Sequence, residues 1–297
     1  MAKMFKGCGT ALLTPFLSSG EPDYETYSRL VDRQVEGGVN FLVPLGTTAE
    51  TPALCPAEKV KLLEITKQRC GSLPLIAGVG SNSLPGTLAA IDLLAPCLSP
   101  KDGDALLVVV PFYNKPTQEG MYAYFKAVTE YSPLPIIIYN VPGRTGANML
   151  PSTVLRLATE VPGIVGIKEA SGNYAQASEI LRSAPEDFSV LSGDDAMTFP
   201  LMATGASGVI SVASNVAPAL MSAMTGALLK GDFASARELH FRLSPLFDAC
   251  FVESNPIPAK AALSILGLCG DTMRLPLSPA SAKTVERMES VLKALDL

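Results

Sequence analysis

The chain has a single histidine, His240, and no tryptophan. One imidazole cannot build a multi-histidine zinc site, and it leaves no Ser–His or Cys–His nucleophile unless His240 itself serves. His240 falls in Phe233–Phe247, an amphipathic helical pattern, where a surface or core histidine is the ordinary reading. The six cysteines (Cys8, Cys55, Cys70, Cys97, Cys250 and Cys269) include no CxxC pair. That spacing excludes a metal cluster, and in a chain of 297 residues the thiols read as buried and reduced rather than as a disulfide framework. Charge is sparse: 17% of residues, 23 basic against 28 acidic, for a net −5. No basic cluster stands out, so binding to nucleic acid or an anionic membrane is not expected. The longest apolar run, near Ala105–Val110, is too short to cross a bilayer. The stretch Met1–Lys6 lacks the apolar region of a secretory signal, so a cytoplasmic protein is expected.

Apolar residues, by contrast, make up 48% of the chain, enough for a large core. They gather in eight short runs: Gly9–Thr14, Phe41–Pro44, Leu73–Val79, Ala105–Val110, Ile136–Tyr139, Ile164–Lys168, Phe188–Leu191 and Gly208–Val212. Helical patterns lie between them, with start signals at Asp23 before Tyr24–Val35, at Pro56 to Glu58 before Lys59–Arg69, at Pro116-Thr117 before Gln118–Tyr131, and at Pro151-Ser152 before Thr153–Glu160. Continuously apolar strands buried on both faces indicate a parallel sheet. Eight such units predict an α/β fold, a closed (β/α)8 TIM barrel, rather than an open doubly wound sheet. After Val216 the pattern becomes helical throughout: Pro218–Lys230, Phe233–Phe247, Pro258–Leu266 and Pro279–Leu295. The expected division is a barrel over 1–230 and a helical extension over 231–297.

Barrel chemistry sits at the C-terminal ends of the strands. The sixth run carries Lys168 between Gly166 and Ala170, two small residues on the same face of the strand that are expected to leave room around the amine. An amine held in an apolar interior loses hydration of its charged form and becomes a Schiff-base nucleophile; the plainer alternative is a strand-edge lysine that reaches water. Other ends carry Thr47-Thr48, Tyr113 and Tyr139 (each in a Tyr-Asn-x-Pro or Tyr-Asn-x-Pro-like turn), and Arg144. A tyrosine can pass protons, a threonine hydroxyl can link two tyrosines, and an arginine fork grips a carboxylate. Together these groups suit carbon–carbon bond chemistry on a keto acid. Each also has a structural reading. The threonines could cap a helix, the tyrosines could be rim aromatics, and Arg144 could pair with Asp194 or Asp195. The stretch Gly78-Val79-Gly80-Ser81-Asn82-Ser83 looks like an incomplete dinucleotide fingerprint, and Gly205-Ala206-Ser207-Gly208 like a faint phosphate cup.

Several longer stretches carry a family resemblance. Thr10–Phe16, Gly46-Thr47-Thr48-Ala49-Glu50, Tyr139-Asn140-Val141-Pro142-Gly143-Arg144-Thr145-Gly146, Gly166-Ile167-Lys168-Glu169-Ala170-Ser171-Gly172, Ser192-Gly193-Asp194-Asp195 and Asn255-Pro256-Ile257-Pro258-Ala259-Lys260 resemble the dihydrodipicolinate synthase family, within the pyruvate-dependent class I aldolases. The resemblance covers nearly the whole chain. It implies a lyase that condenses pyruvate, as a Schiff base on Lys168, with L-aspartate 4-semialdehyde in diaminopimelate and lysine biosynthesis. A related lyase acting on a 2-keto-3-deoxy acid such as sialic acid is the alternative, and the Gly-Arg-Thr loop favours the synthase. By the same resemblance Thr47 and Thr48 bind the pyruvate carboxylate, and Thr48, Tyr139 and Tyr113 form a proton relay. Arg144 holds the second substrate, and the carbonyls of Gly193 and Ile210 line the pocket. No cofactor and no metal are implied. The implied assembly is a homotetramer, a dimer of dimers in which Tyr113 reaches the neighbouring subunit's site. The chain departs from the family pattern at Ala49, Thr51 and Phe112.

Overall fold

The computed structural model describes residues 5–297. Eight parallel strands run in the order β2-β1-β8-β7-β6-β5-β4-β3. They are β1 (Gly7–Ala11), β2 (Phe41–Val43), β3 (Ile76–Gly78), β4 (Ala105–Val109), β5 (Ile136–Asn140), β6 (Ile164–Glu169), β7 (Ser189–Ser192) and β8 (Gly208–Ser211). A parallel bridge between Leu42 and Leu75 joins the two ends, and Gly78 N–H donates to the Pro44 carbonyl at 3.0 Å, so the sheet closes into a barrel. Helices follow the strands: α1 (Tyr24–Glu36), α2 (Pro56–Arg69), α3 (Leu84–Leu94), α4 (Gln118–Tyr131), α5 (Pro142–Thr145), α6 (Pro151–Glu160), α7 (Tyr174–Ser183), α8 (Thr198–Ala203) and α9 (Pro218–Leu229). The extension adds α10 (Phe233–Ala249), α11 (Ile257–Ile265) and α12 (Ala282–Ala294).

The two-residue alternation of the strands sorts their side chains into two cores. Ala11, Phe41, Val43, Ile76, Leu107, Ile137, Tyr139, Leu191 and Ile210 pack inside the barrel. Val108, Ile138, Ile167, Val190 and Val209 face outward and meet the helices. Each such aliphatic side chain removed from water contributes about 1.5–3 kcal/mol. Capping agrees with the sequence: Asp23 accepts the Thr26 N–H at 3.0 Å, and Thr117 accepts the Gly120 N–H at 3.2 Å.

One expectation needs correction, and two weaker alternatives fall away. The first strand is Gly7–Ala11 rather than Gly9–Thr14, because Thr14 leaves the sheet and donates its hydroxyl to the Ala49 carbonyl at 2.9 Å. The Gly78–Gly80 stretch serves strand packing: a Cβ on Gly78 would lie 2.0 Å from the Leu45 carbonyl oxygen. Gly205–Ser207 precede β8, at the end of the barrel opposite the strand C-termini, and so cannot cup a phosphate there. Among the thiols, Cys8, Cys70 and Cys250 are buried as expected, but Cys55 is exposed at the start of α2. His240 packs against Phe199, Phe241 and Phe247, on the helical layer and away from the strand ends.

Candidate active site

Since Ile137 and Leu191 point inward while Ile167 points outward, Lys168 points inward too. It is 6% exposed, and its register partners are Tyr139 on β5 and Leu191 on β7. Tyr139, also inward and buried, brings its ring centroid to 4.2 Å from Lys168 Nζ. Among the described residues no hydrogen bond engages that amine. The next residue, Glu169, faces away from the barrel. Its buried carboxylate accepts from Asn140 Nδ2 (3.0 Å), Gln176 Nε2 (3.2 Å) and the Ser171 N–H (2.7 Å), which locks the strand register beneath Lys168. Glu169 belongs to a motif noted in the sequence, but no local signal there assigns it this task.

The small residues around Lys168 act differently from expectation. A Cβ on Gly166 would lie 2.5 Å from the Ser189 carbonyl oxygen and 3.0 Å from Ile137 Cδ1, so that glycine is fully used in packing below the lysine. The residue that leaves room for the lysine stem is Gly193: a Cβ there would approach Lys168 Cε to 3.1 Å and Ala170 Cβ to 2.5 Å. We therefore expect Gly193→Ala to lower turnover about tenfold by pushing the amine off its line, and to lower Tm as well, because the Ala170 Cβ at 2.5 Å cannot swing aside. Steady-state kinetics with a parallel thermal melt check this; unchanged turnover would show the stem free to move aside.

Thr47, Thr48 and Ala49 form a 3₁₀ turn after β2. Thr48 is buried at 2% exposure, and its Oγ1 accepts from Asn255 Nδ2 at 3.0 Å. Further hydrogen bonds fix the turn: Thr14 Oγ1 to the Ala49 carbonyl (2.9 Å) and Thr51 Oγ1 to the Gly46 carbonyl (2.8 Å). Below it lies a buried ion pair, Lys260 Nζ to Glu50 Oε1 at 2.5 Å. Arg144, exposed on α5, donates Nη2 to the Asn255 carbonyl at 3.1 Å rather than to Asp194 or Asp195. Among the described residues no hydrogen bond joins Thr48 to Tyr139. Tyr113 stands apart from both: it is 86% exposed, with φ 71°. The relay is thus not assembled within one chain. Ile210 is buried in the inner core on β8.

Non-glycine residues with positive φ cluster at this end of the barrel. Leu45 (59°) and Glu50 (55°) flank the threonine turn, and Tyr113 (71°) and Lys115 (48°) lie after β4. Backbone held in the left-handed region costs free energy and gathers at functional sites. Asp195 adds a buried carboxyl beside β8. Burial pushes it up to about 6, against the N–H groups of Ala213 and Val212, which favour the anion. Its folded value lies above its unfolded one, so the unfolded chain releases this proton first. The carboxyl therefore costs nothing below about pH 4, and stability falls as pH rises toward 6 by on the order of 3 kcal/mol, then levels. Asp195→Asn, which keeps a carbonyl acceptor, should remove that slope. Urea unfolding of both proteins between pH 4 and 7 measures it, and parallel curves would show the carboxyl ionised throughout.

A closed barrel with polar groups collected at its strand C-termini is an enzyme architecture; by fold and kinship the protein is a (β/α)8-barrel lyase. More particularly, the chain belongs to the dihydrodipicolinate synthetase family, whose model matches residues 4–295. It is 48% identical to a 4-hydroxy-tetrahydrodipicolinate synthase of Thermotoga neapolitana, over 98% of each chain. It is 46% identical to one of Phocaeicola vulgatus, over 98% of this chain and 97% of that one. The crystal structure of the Thermotoga maritima dihydrodipicolinate synthase superposes with a TM-score of 0.95 at 46% identity, over 99% of both chains. No helix among the described residues is long and apolar enough to cross a membrane, and no group of three metal-ligating side chains is found among them.

Proposed function

We propose that the chain is a 4-hydroxy-tetrahydrodipicolinate synthase that joins pyruvate, bound as a Schiff base on Lys168, to L-aspartate 4-semialdehyde. The observation that carries this reading is the inward pair on adjacent strands: Lys168 buried, its Nζ 4.2 Å from the Tyr139 ring and free of competing hydrogen bonds. The Lys168 amine attacks the pyruvate keto carbon, and Tyr139 passes the protons that turn the carbinolamine into water and an imine. Loss of a methyl proton gives the enamine, whose carbon attacks the aldehyde while Tyr139 protonates the aldehyde oxygen. The substrate's own amino group then attacks the imine carbon, which frees Lys168 and closes the ring.

Thr47 and Thr48 bind the pyruvate carboxylate, Thr48 also passes protons, and the carbonyls of Gly193 and Ile210 line the pocket. The exposed fork of Arg144, at the mouth, takes the carboxylate of the second substrate. Tyr113 completes the relay in a neighbouring subunit. Its 86% exposure beside the partly exposed Phe112, on strained backbone, supports that assignment and a homotetramer built as a dimer of dimers. The reading extends to a cytoplasmic enzyme, and the chemistry above calls on neither metal nor cofactor. A coupled assay offering L-aspartate 4-semialdehyde and sugar aldehydes in turn tests the substrate; faster turnover of a sugar aldehyde would favour the 2-keto-3-deoxy acid lyase. Arg144→Ala should lower synthase turnover by about 10²-fold or more while the rate of pyruvate adduct formation changes less than threefold. Equal losses in both would make Arg144 structural.

A further inference from the structure

We infer that Asp195 is a positioning residue that fastens the segment after β7 to the end of β8, and so holds Gly193 against the Lys168 stem. The inference rests on the Schiff-base reading of Lys168. Strand pairing stops short of this place. β7 and β8 are in register only at Leu191 with Gly208 and at Ser192 with Val209, whereas β8 continues against β1 through Ile210 and Ser211. No ladder pair therefore joins Ile210 or Ser211 to the segment after β7. On its other side that segment is tied to β6, since the Gly193 N–H donates to the Glu169 carbonyl at 2.7 Å. Asp195 supplies the missing fastening. It is 1% exposed, and its Oδ2 accepts the N–H groups of Val212 at 3.1 Å and Ala213 at 2.9 Å, the first two residues after β8.

The frame around this carboxyl has little slack. The Asp194 carbonyl accepts Ser192 Oγ at 2.6 Å and Thr198 Oγ1 at 3.1 Å. Beyond β8, Asn215 Nδ2 donates to the carbonyls of Ala11 at 2.8 Å and Val212 at 3.0 Å. A displacement of Asp195 is therefore carried to Gly193, two residues upstream, where a Cβ would already stand 3.1 Å from Lys168 Cε. The carboxyl is also poorly placed for stability. Its Oδ1 is buried and makes no hydrogen bond among the described residues. The titratable groups that face it, Cys8 on β1, Cys250 after α10 and the adjacent Asp194, offer no positive charge. A buried acid kept where it costs stability belongs to the kind of local conflict that gathers at functional sites. Asp195 touches no reacting atom in this scheme; it acts through Gly193.

Removing the acceptor and then restoring it is the test. Borohydride trapping at timed intervals after pyruvate is added measures how fast the adduct forms on Lys168. Asp195→Leu, near in volume and unable to accept, should form it about 30-fold more slowly than wild type. Its KM for L-aspartate 4-semialdehyde should stay within about twofold, because the Arg144 fork is anchored elsewhere, on the Asn255 carbonyl. Asp195→Asn keeps an oxygen that accepts both N–H groups, and its adduct rate should lie within about threefold of wild type. Well below the melting temperature, lost stability alone leaves the rate of the folded protein unchanged, so a wild-type rate in Asp195→Leu overturns the inference. An equal loss in Asp195→Asn also overturns it, since charge rather than the two bonds would then be at work. If Asp195→Leu does not fold, Asp195→Ala stands in, with a loss of about tenfold expected and a wild-type rate again decisive. Failure of the wild-type protein to form any adduct on Lys168 is a different result: it defeats the Schiff-base reading, and this inference with it.

Discussion

Treated with pyruvate and then borohydride, the chain should gain one reduced pyruvyl group, located by peptide mass spectrometry on Lys168. Lys168→Arg should gain none and lose about 10⁴-fold or more in turnover, because an arginine cannot form the imine on which every later step depends. The expectation is specific because the structure holds a second, more deeply buried lysine. Lys260 is 0% exposed, and burial pushes its ammonium down, with Glu50 acting against that. By burial alone Lys260 would be the better nucleophile. Its Nζ, however, is committed to Glu50 Oε1 at 2.5 Å and to the Thr272 carbonyl at 3.0 Å, and it sits over the Phe16 ring, outside the barrel interior. Among the described residues Lys168 has neither an anion nor a carbonyl on its amine, and it faces the barrel interior beside Tyr139. A reduced adduct on Lys260, or none on either lysine, would sink the Schiff-base reading.

The largest stability effect should come from Lys260 itself. Both members of its pair with Glu50 are almost fully buried, at 1% and 2% side-chain exposure. Truncating one member leaves the other as an unpaired buried charge, at a cost of about 3–5 kcal/mol, whereas removing both charges together costs far less. Lys260→Met should therefore be strongly destabilised in urea, and Lys260→Met with Glu50→Gln should recover most of the loss. The surroundings make the site unforgiving. Glu50 sits in the left-handed region, and its second oxygen accepts the Arg274 N–H at 3.2 Å. Arg274 in turn grips Glu58 with two nitrogens at 2.7 and 2.6 Å and holds that carboxyl down at about 2. That second pair stabilises fully above the ordinary carboxylate range and loses its contribution as pH falls toward 2. Because Glu50 follows the Thr47–Ala49 turn directly, the single variants should also raise KM for pyruvate. Wild-type stability in Lys260→Met would show that water reaches the pair.

Together these contacts change the meaning of the helical extension. Residues 231–297 read in the sequence as an addition to a finished barrel. In the structure Asn255, Lys260 and Arg274 all reach back to the turn after β2. The motif containing Asn255 and Lys260 was visible in the sequence, but its purpose was not, because a hydrogen bond spanning 207 residues leaves no periodic trace. α3 and α7 begin at capping side chains, Ser83 accepting the Gly86 N–H and Asn173 the Gln176 N–H, whereas α8 has no capping side chain to mark its start. In α3, Leu84, Leu88 and Ile91 share one face, but Ala89 and Leu93 place apolar side chains on the opposite one, so period alone does not separate it from a buried strand.

By itself the sequence determined the alternation of eight apolar runs with helices, and hence the barrel, because burial on both faces of a parallel strand shows directly in composition. It also determined which side chains lie at the strand ends, since a strand's C-terminus is a place in the sequence as well as in space. Only the tertiary structure decided what those side chains meet. It placed Tyr139 rather than Tyr113 beside Lys168 within one chain, transferred the making of room from Gly166 to Gly193, and gave Thr48 its partner from the far end of the chain. The physical reason is that periodicity reports which face of an element is buried, while the distance between two side chains on different elements depends on register, barrel closure and packing, none of which is a local property of the chain.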